Sequence, residues 1–475
     1  MTVRPAAADI AVIGAGSSGL AALKALLEQG VAVDCFERGS NVGGLWRYDN
    51  DNGLSGAYAS LRTNVSRPRM QYPSFPMPSS YAEFPGHREM AAYLDDYADA
   101  FGLREFIRFR ATVERLELDP DAGWWINLDD GSVRRYRAVV VAIGLFWCPK
   151  IPTYPGAFGG VASHSHAYRT PGQFEGRRVL VVGLGQSAAE IAVEVSRLAS
   201  RTLMAVRSRT HVLPRWISGK PYDTGDIDPL NRIPWPLLNF VYGLRVAREL
   251  GPTPASWPVG VHRLLEGIPI VSSDLLPAVL EGDIVVKPAI DRLRPDRVHF
   301  VDGSEEMVDC IIYCTGYSTR LPFLSSSLVS ATGRDFPLYR RIVPPDIGGL
   351  FFVGFVDAPG GLLPVVEAQG EWVAAVLAGQ LRLPKQKVMW HAIERRERRT
   401  RQRFPGEDPE SIRCDPHAYR RLLLADLKGV HAPHQRCPAG ATSPPSRPVR
   451  SGAVLMGVRS GARSSLTPRA RRQGV

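Results

Sequence analysis

The sequence predicts an α/β fold in which one nucleotide-binding domain is inserted in another. A GxGxxG motif at residues 14–19 follows an apolar segment and precedes a helix-forming one. A GxGxxA motif at residues 183–188 repeats this order of elements. Two strand-like segments, 308–317 and 350–361, come after the second motif, and we expect them to complete the first domain. These observations indicate two Rossmann-like dinucleotide-binding domains, the second inserted in the first.

The first glycine motif belongs to a segment, 9–38, with the pattern of a whole βαβ unit. An apolar strand leads into the motif, a helix ends at Gly30, and a second strand ends at Glu37. Glycines permit the tight turn and let a pyrophosphate approach the backbone at the helix N-terminus. A carboxylate at Glu37 can accept both ribose hydroxyls and would repel a 2′-phosphate. This unit therefore predicts FAD or NAD rather than NADP.

The second motif begins another such unit, with its strand and helix in segment 177–199. Alanine at the third motif position is allowed, because helix–strand packing there needs only a small residue. The following strand, 202–209, carries no acid at the ribose position and has Arg207 and Arg209 instead. A guanidinium there can pair with a 2′-phosphate, which predicts NADPH over NADH. The alternative for each arginine is an exposed surface cation.

Composition and cysteine usage indicate an ordinary globular protein. The chain has 475 residues, of which 44% are hydrophobic and 22% charged. Its six cysteines form no CxxC pair and no zinc-like pairing, so we expect a reducing compartment and no metal. The sequence shows no signal-peptide pattern and no apolar run long enough to span a bilayer. We therefore expect a cytoplasmic location and no membrane attachment.

The net charge of +11 comes mainly from the segment 436–475, which has eight arginines and no acidic residue. Without that segment the net charge is +3, because 11 − 8 = 3. Its content of serine, proline, glycine and arginine predicts a disordered basic tail. Nucleic-acid binding through this tail is the less favoured alternative, and deletion of the segment would abolish any such salt-sensitive binding.

Between the two glycine motifs lies FGGVASHSHAY, residues 158–168. It fits the pattern Phe158-x-Gly160-xxx-His164-xxx-Tyr168, and the chain resembles the flavin-containing monooxygenases in this motif and its position before the second glycine motif. Residues 8–385 carry the resemblance. Gln186 and Ala188 depart from it, since the family commonly has Asn and Gly there. Further segments that resemble the family are GAGSSGL (14–20), GGLW (43–46), TN (63–64), GQSAAE (185–190) and CTGY (314–317).

The resemblance implies FAD and NADPH as cofactors and a two-step reaction. NADPH reduces the flavin, and the reduced flavin captures O₂ as a C4a-hydroperoxyflavin. A nucleophilic heteroatom of a small-molecule substrate, an amine N or a sulfide S, then takes one oxygen atom. The flavin carries this chemistry, while the protein orients the reactants and excludes water. The resemblance thus implies an NADPH-dependent N- or S-oxygenating monooxygenase; the residues leave its assembly open, with a homodimer among the possibilities.

The resemblance also implies the site residues. Asn64 faces the flavin and nicotinamide in the family, and its amide could donate to the oxygen species or hold the NADP⁺ ribose; otherwise it is a turn residue. His164 is either a proton carrier or a residue that holds the loop between domains. The predicted FAD-binding residues are Gly14, Ala15, Gly16, Ser17, Ser18, Gly19, Glu37, Arg38, Gly44, Leu45, Trp46, Asn64 and Val65. The predicted NADPH-binding residues are Thr63, Asn64, Gly183, Gly185, Gln186, Ser187, Ala188, Ala189, Glu190, Arg207 and Arg209.

The predicted domain order follows from these assignments. The FAD-binding domain comprises 1–157 and 310–390, the NADPH-binding domain 158–309 with a substrate-entrance insert at about 211–300, and a C-terminal helical segment 391–435 precedes the tail at 436–475.

Four other functions share parts of this pattern. A Baeyer–Villiger monooxygenase has the same fold and cofactors but oxidises ketones, and its usual motif ends in Trp where this chain has Tyr168. A disulfide reductase of similar build needs a CxxC pair, which the chain lacks. An oxidase or a non-catalytic NADPH-sensing flavoprotein stays open, and tight coupling of NADPH use to product would exclude both.

Overall fold

The computed structural model describes residues 8–119, 123–207, 210–224, 235–251, 253–258, 269–325, 328, 337–403 and 412–428. Its helices are α1 (Ser17–Glu28), α2 (His87–Ala100), α3 (Gln186–Ser196), α4 (Trp235–Leu250), α5 (Leu275–Glu281), α6 (Leu363–Leu377), α7 (Gln386–Arg403) and α8 (Pro416–Leu427). Its strands are β1 (Ile10–Ile13), β2 (Val33–Glu37), β3 (Ile107–Phe109), β4 (Val113–Asp119), β5 (Gly123–Leu128), β6 (Val133–Tyr136), β7 (Ala138–Val141), β8 (Val161–His164), β9 (Arg178–Val182), β10 (Arg201–Ala205), β11 (Val212–Leu213), β12 (Trp216–Ile217), β13 (Lys220–Pro221), β14 (Ile270–Val271), β15 (Ile284–Lys287), β16 (Ile290–Leu293), β17 (Arg297–Phe300), β18 (Glu305–Met307), β19 (Cys310–Tyr313) and β20 (Leu350–Phe352).

A first parallel sheet, in the order β20-β7-β1-β2-β3, contains the first glycine motif. Its central strands are apolar along their whole length because helices or loops cover both faces. Helix α1 packs against α6 in the main core, which also includes Leu20, Leu23 and Trp372. An antiparallel sheet, β4-β5-β6, extends from this domain.

A second parallel sheet, in the order β15-β10-β9-β19-β8, contains the second glycine motif. Helix α3 covers one face through its buried alanine and aliphatic side chains. An antiparallel sheet, β16-β17-β18, joins β15 to β19. The α/β class with two nucleotide-binding sheets is therefore confirmed.

The sheet topology corrects one strand assignment and one boundary. Strand β19, expected in the first domain, pairs in parallel with β8 and β9 in the second sheet, whereas β20, the other predicted strand, pairs with β7 in the first sheet. The second domain thus extends past residue 309. The insert predicted at about 211–300 also ends earlier, because α5 and β15 already belong to the second domain. An apolar strand fits any buried parallel sheet, so its hydrophobicity alone does not identify its neighbours.

The C-terminal helices pack on the first domain. Helix α7 starts at Gln386, five residues before the predicted helical segment, and α8 ends at Leu427. Leu423 and Tyr419 are buried in the main core, and Arg340 forms an ion pair with Asp426 at 2.7 Å. The predicted tail, 436–475, lies outside the described residues.

Candidate functional site

The first glycine loop is packed too closely for side chains at two of its glycines. Gly14 has φ +98°, and a Cβ atom there would lie 2.8 Å from the Ala142 carbonyl oxygen at the end of β7. A Cβ on Gly19 would lie 1.8 Å from the Gly14 carbonyl oxygen. Real Cβ atoms do not approach backbone this closely, so the loop depends on glycine. The loop leads into the N-terminus of α1, whose free N–H groups suit a pyrophosphate.

The GGLW turn, predicted to contact the same cofactor, lies directly against this loop. The Gly43 N–H donates to the Ala15 carbonyl oxygen at 3.1 Å. A Cβ atom on Gly44 would lie 3.1 Å from the Cα of Gly16, so the two backbones face each other. The Asn50 amide donates to the Gly44 carbonyl at 2.9 Å and fastens the turn. The fold therefore brings together two predicted FAD-binding segments that are distant in the sequence.

We call the first glycine loop and the GGLW turn the first cradle, and Glu37 at the end of β2 bonds to its backbone. Its side chain is buried; Oε2 accepts from the Ala15 N–H at 2.7 Å, and Oε1 accepts from the Gly39 N–H at 2.7 Å. A carboxylate oxygen accepts more than one hydrogen bond, so Glu37 can also receive ribose hydroxyls. Arg38 follows it and is exposed. The glycine backbone, the helix N-terminus and this carboxylate fit a dinucleotide without a 2′-phosphate.

The second glycine loop, which we call the second cradle, has the same backbone geometry as the first. Gly183 has φ +125°, and a Cβ atom there would lie 2.4 Å from the Cys314 carbonyl oxygen at the end of β19. Gly185 precedes α3 and has open space where a side chain would be. Ala188 and Ala189 of α3 are fully buried in the core of the second domain. The carbonyl of Cys314 therefore lies against Gly183 of the second loop, just as the carbonyl of Ala142 lies against Gly14 of the first.

This similarity is a sequence signal from which β19 can be assigned to the second sheet. Each loop is met by the residue after an apolar strand, and a glycine with positive φ lies two residues further on: Gly144 after Ala142 and Gly316 after Cys314. The segments AVVVAIG (138–144) and CIIYCTG (310–316) therefore match in position and role.

Two predicted NADPH-binding residues of α3 use their side chains on neighbouring protein segments. Gln186 Nε2 donates to the Val271 carbonyl at 2.8 Å, and Gln186 Oε1 accepts from the Val271 N–H at 3.0 Å. Glu190 accepts from Arg215 at 2.7 Å, from Gln186 at 2.8 Å and from the Tyr58 hydroxyl. These side chains fasten β14 and the segment around Tyr58, whereas the helix N-terminal backbone and Ser187 remain for a phosphate. Their contact with NADPH stays a prediction.

Arg207 lies two residues beyond the end of β10 and is exposed. Because β10 pairs in parallel with β9, this position is at the same sheet edge as the second glycine loop. Its location fits a partner for a 2′-phosphate. Arg209, predicted beside it, lies outside the described residues.

The segment 58–72 connects the helices that follow the two glycine loops. At one end, the Tyr58 hydroxyl donates to Glu190 of α3, and Ser60 donates to Glu194 at 2.9 Å. At the other end, the Tyr72 hydroxyl donates to the Ser17 carbonyl at the start of α1 at 2.6 Å. The segment that carries Asn64 is therefore attached to both helices that follow the glycine loops.

Within this segment the predicted site residues have different surroundings. Thr63 and Val65 are buried, and the Thr63 hydroxyl has no hydrogen-bond partner among the described residues. Asn64 between them is exposed, and its carbonyl accepts from the Tyr222 hydroxyl at 3.0 Å. Asn64 is thus exposed, while a hydrogen bond to its carbonyl fixes its backbone.

His164 is tied to the backbone through both ring nitrogens. Nδ1 accepts from the His166 N–H at 3.1 Å, so Nε2 carries the proton and donates to the Gly316 carbonyl at 3.0 Å. Burial lowers the pKa of His164 below its usual value, which keeps the ring neutral. This geometry favours a loop-holding role, and the proton-carrier role stays a prediction.

Sequence patterns did not indicate several residues that organise the site. Tyr58, Ser60 and Glu194 join the 58–72 segment to α3, and Arg215 attaches the predicted insert to the same helix. No local spacing links these residues, because their contacts cross more than a hundred residues of sequence or bridge separate elements. Among the residues that the structure describes, no helix is long and apolar enough to cross a membrane.

The family described as "FMO-like: Flavin-binding monooxygenase-like" matches residues 7–424, and the chain belongs to this family. It is 31% identical over 433 residues to human flavin-containing monooxygenase 3, covering 86% of this chain and 81% of the relative. It is 32% identical over 415 residues to mouse dimethylaniline monooxygenase [N-oxide-forming] 4, covering 82% and 73%. The protein is therefore an FAD- and NADPH-dependent monooxygenase.

Solved structures agree with this assignment. S-allyl-L-cysteine S-oxygenase from Allium sativum superposes with a TM-score of 0.67 at 25% identity, covering 90% of this chain and 89% of the other. The closed structure of a cyclohexanone monooxygenase superposes with a TM-score of 0.67 at 18% identity, covering 88% and 96%. The second likeness concerns the fold alone.

Proposed function

We propose that the protein transfers one oxygen atom from O₂ to a nucleophilic nitrogen or sulfur of a small molecule. One observation carries the proposal: an exposed Asn64 lies on a segment hydrogen-bonded both to α1, which follows the first cradle, and to α3, which follows the second. A side chain in this position can contact groups held by either cradle. The relatives named for N-oxide formation and S-oxygenation support the same substrate class.

The chain's residues would divide the work as follows. The first glycine loop, Gly44 and Glu37 would hold FAD, and the second loop with Arg207 would hold NADPH. Bound FAD supplies the redox and oxygen-activating chemistry. Asn64 would donate its amide N–H to a polar group near the reaction centre, and the fastened 58–72 segment would keep that donor in place. A preoriented donor loses little free energy to reorganisation when the substrate reacts.

Isotope labelling tests the proposal. The purified holoenzyme is supplied with NADPH and ¹⁸O₂, and tertiary amines, thioethers and cyclic ketones are tested in turn. We expect N-oxides or sulfoxides that carry one ¹⁸O atom, with about one NADPH consumed per product because each turnover uses one hydride. Ester or lactone products alone would support the Baeyer–Villiger function instead. Oxidation of NADPH with one H₂O₂ formed from O₂ per NADPH, whatever the substrate, would contradict oxygen transfer.

The location and assembly of the protein belong to the proposal as well. We propose a cytoplasmic enzyme, because a reduced compartment suits its unpaired cysteines: Cys35, Cys310 and Cys314 are free and buried. Homodimerisation is one possibility, which light scattering of the holoenzyme tests: a mass near twice 52.1 kDa would show a dimer, and a mass near 52.1 kDa a monomer.

A further inference from the structure

We propose that Tyr222 and Asp223 are positioning residues that orient the backbone of Asn64. The inference rests on the role proposed above for Asn64. Both residues lie in the part of the insert that directly follows the β12–β13 hairpin. They are separated from Asn64 by about 160 residues of sequence, and no motif of the family resemblance includes them.

Three hydrogen bonds join this part of the insert to the loop that carries Asn64. The Tyr222 hydroxyl donates to the Asn64 carbonyl at 3.0 Å. Oδ2 of Asp223 accepts from the Ser66 N–H at 2.8 Å, and the Asp223 carbonyl accepts from Arg69 Nε at 3.1 Å. The contacts therefore fall at positions 64, 66 and 69 of one short segment.

The other side of the loop is bonded at different backbone groups. The Thr63 N–H donates to the Pro85 carbonyl at 2.9 Å, and the Arg67 N–H donates to the Glu83 carbonyl at 2.7 Å. The Asn64 carbonyl and the Ser66 N–H are instead bonded by Tyr222 and Asp223. The insert therefore controls the orientation of the peptide groups next to the Asn64 side chain.

Backbone hydrogen bonds hold this part of the insert together, and an ion pair attaches it to α3 of the second domain. Its hairpin pairs Trp216 with Pro221, and the Tyr222 N–H donates to the Arg215 carbonyl at 3.0 Å. Arg215 forms an ion pair with Glu190 of α3 at 2.7 Å. Glu190 also accepts from the Tyr58 hydroxyl, so the loop and the insert share one anchor on the second domain.

The two carboxylate oxygens of Asp223 differ in their hydrogen bonding. Its Oδ1 atom is buried and has no hydrogen-bond partner among the described residues. A buried carboxylate oxygen without a partner costs desolvation free energy. Among the described residues, the side chain of Asp223 is thus held at this loop by the bond that Oδ2 accepts from the Ser66 N–H.

The experiment compares Asp223→Ala and Tyr222→Phe with a matched control for each. Asp291→Ala removes an exposed aspartate on β16, and Tyr313→Phe removes a hydroxyl on β19; both belong to the second domain and neither contacts the loop. The first readout is hydrogen–deuterium exchange of the peptide covering residues 61–70 in the cofactor-free protein. The second is the fraction of NADPH electrons that appear as H₂O₂ in the holoenzyme, together with the rate of flavin reduction.

We expect exchange at 61–70 to become roughly tenfold faster in Asp223→Ala and less so in Tyr222→Phe, because the Tyr222 bond is exposed to water. The H₂O₂ fraction should rise several-fold in the same order, while flavin reduction keeps the wild-type rate. Exchange and H₂O₂ fractions equal to those of the controls would overturn the inference.

Asn64→Ala separates this inference from the proposed function. The H₂O₂ fraction of Asn64→Ala is compared with those of Asp223→Ala and Tyr222→Phe. If it rises in Asn64→Ala alone, the positioning role is wrong and the role of Asn64 stands. If Asn64→Ala stays fully coupled, the role of Asn64 is wrong and the inference fails with it. The exchange measurement needs no turnover, so faster exchange at 61–70 in Asp223→Ala would support the contact even in a chain that oxygenates none of the substrates tested.

Discussion

The hydroxyl of Tyr168, the last residue of the 158–168 motif, donates to Oε2 of Glu194 at 2.8 Å. The same oxygen accepts from Ser60 at 2.9 Å. One carboxylate of α3 therefore holds both the motif and the beginning of the segment that carries Asn64. This contact gives the terminal tyrosine of the motif a structural role between the two domains.

Tyr168→Phe should destabilise the protein by about 1–2 kcal/mol, because it removes a charge-assisted hydrogen bond to a carboxylate. The ring itself should stay packed, since it stacks on Phe174 and is almost fully buried. Thermal unfolding of the holoenzyme measures the effect. Phe174→Leu provides a packing control that keeps the hydroxyl contact. An unchanged midpoint in Tyr168→Phe would show that the Glu194 contact contributes nothing to stability.

Gly19→Ala should prevent FAD binding. The new methyl group would lie 1.8 Å from the Gly14 carbonyl oxygen, so the glycine loop has to move away from its close approach to β7. Absorbance near 450 nm of the purified protein reports the flavin content. Gly172→Ala is the matched control, because its added methyl meets no atom within 4 Å. Full flavin content in Gly19→Ala would contradict the geometry described for this loop.

Arg207→Ala should raise the KM for NADPH by roughly tenfold or more and leave that for NADH almost unchanged. The expected loss is that of a charge-assisted contact with the 2′-phosphate. Steady-state kinetics with both nucleotides gives the selectivity ratio. Arg292→Ala, on the separate β16-β17-β18 sheet, is the control. If the selectivity ratio of Arg207→Ala matches the wild type, Arg207 is only a surface cation.

Glu371 makes stability dependent on pH. Burial, with a further contribution from nearby Glu367, raises the pKa of Glu371 to about 7. Between the pKa of an ordinary glutamate, 4.5, and about pH 7, the folded state therefore binds more protons than the unfolded state. The free energy of unfolding falls as the pH rises through this window. Above pH 7, ionisation of this carboxyl lowers the free energy of unfolding by up to about 3 kcal/mol.

Glu371→Gln removes that ionisation. The substitution should raise the unfolding midpoint at pH 8 and change it little at pH 5, where the wild-type carboxyl is already neutral in the folded state. Thermal unfolding at both pH values checks this expectation. Exposed Glu281, the last residue of α5, offers a matched substitution to Gln. An equal shift at pH 5 and pH 8 would mean that the effect comes from packing and not from ionisation.

Much of the fold and of the nucleotide sites could be predicted because their determinants are local. A strand, a glycine turn and a helix follow one another within about thirty residues, and both loops have the geometry that the motifs predict. Glu37 illustrates this, since its place at the end of β2 follows from the strand pattern alone. The family resemblance rests on equally short segments, and the family match confirms it.

Contacts between distant segments could not be predicted in this way. The sequence predicts β19 in the first sheet, whereas it lies in the second, because an apolar strand is equally suited to either. Gln186 is a predicted NADPH contact, and the sequence does not indicate that its side chain bonds to Val271 of β14. Periodicity says which side of an element is buried and does not say which other element covers it.

The amino-acid sequence by itself determined the two glycine cradles, the acid at Glu37, the arginine at position 207 and membership of a monooxygenase family. Only the tertiary structure decided that Tyr58 meets Glu190, that Tyr168 and Ser60 share Glu194, and that Tyr222 and Asp223 hold the loop of Asn64. The physical reason is the range of each interaction. Backbone geometry is imposed by neighbouring residues, while a side-chain hydrogen bond requires a donor and an acceptor that only folding brings within about 3 Å of each other.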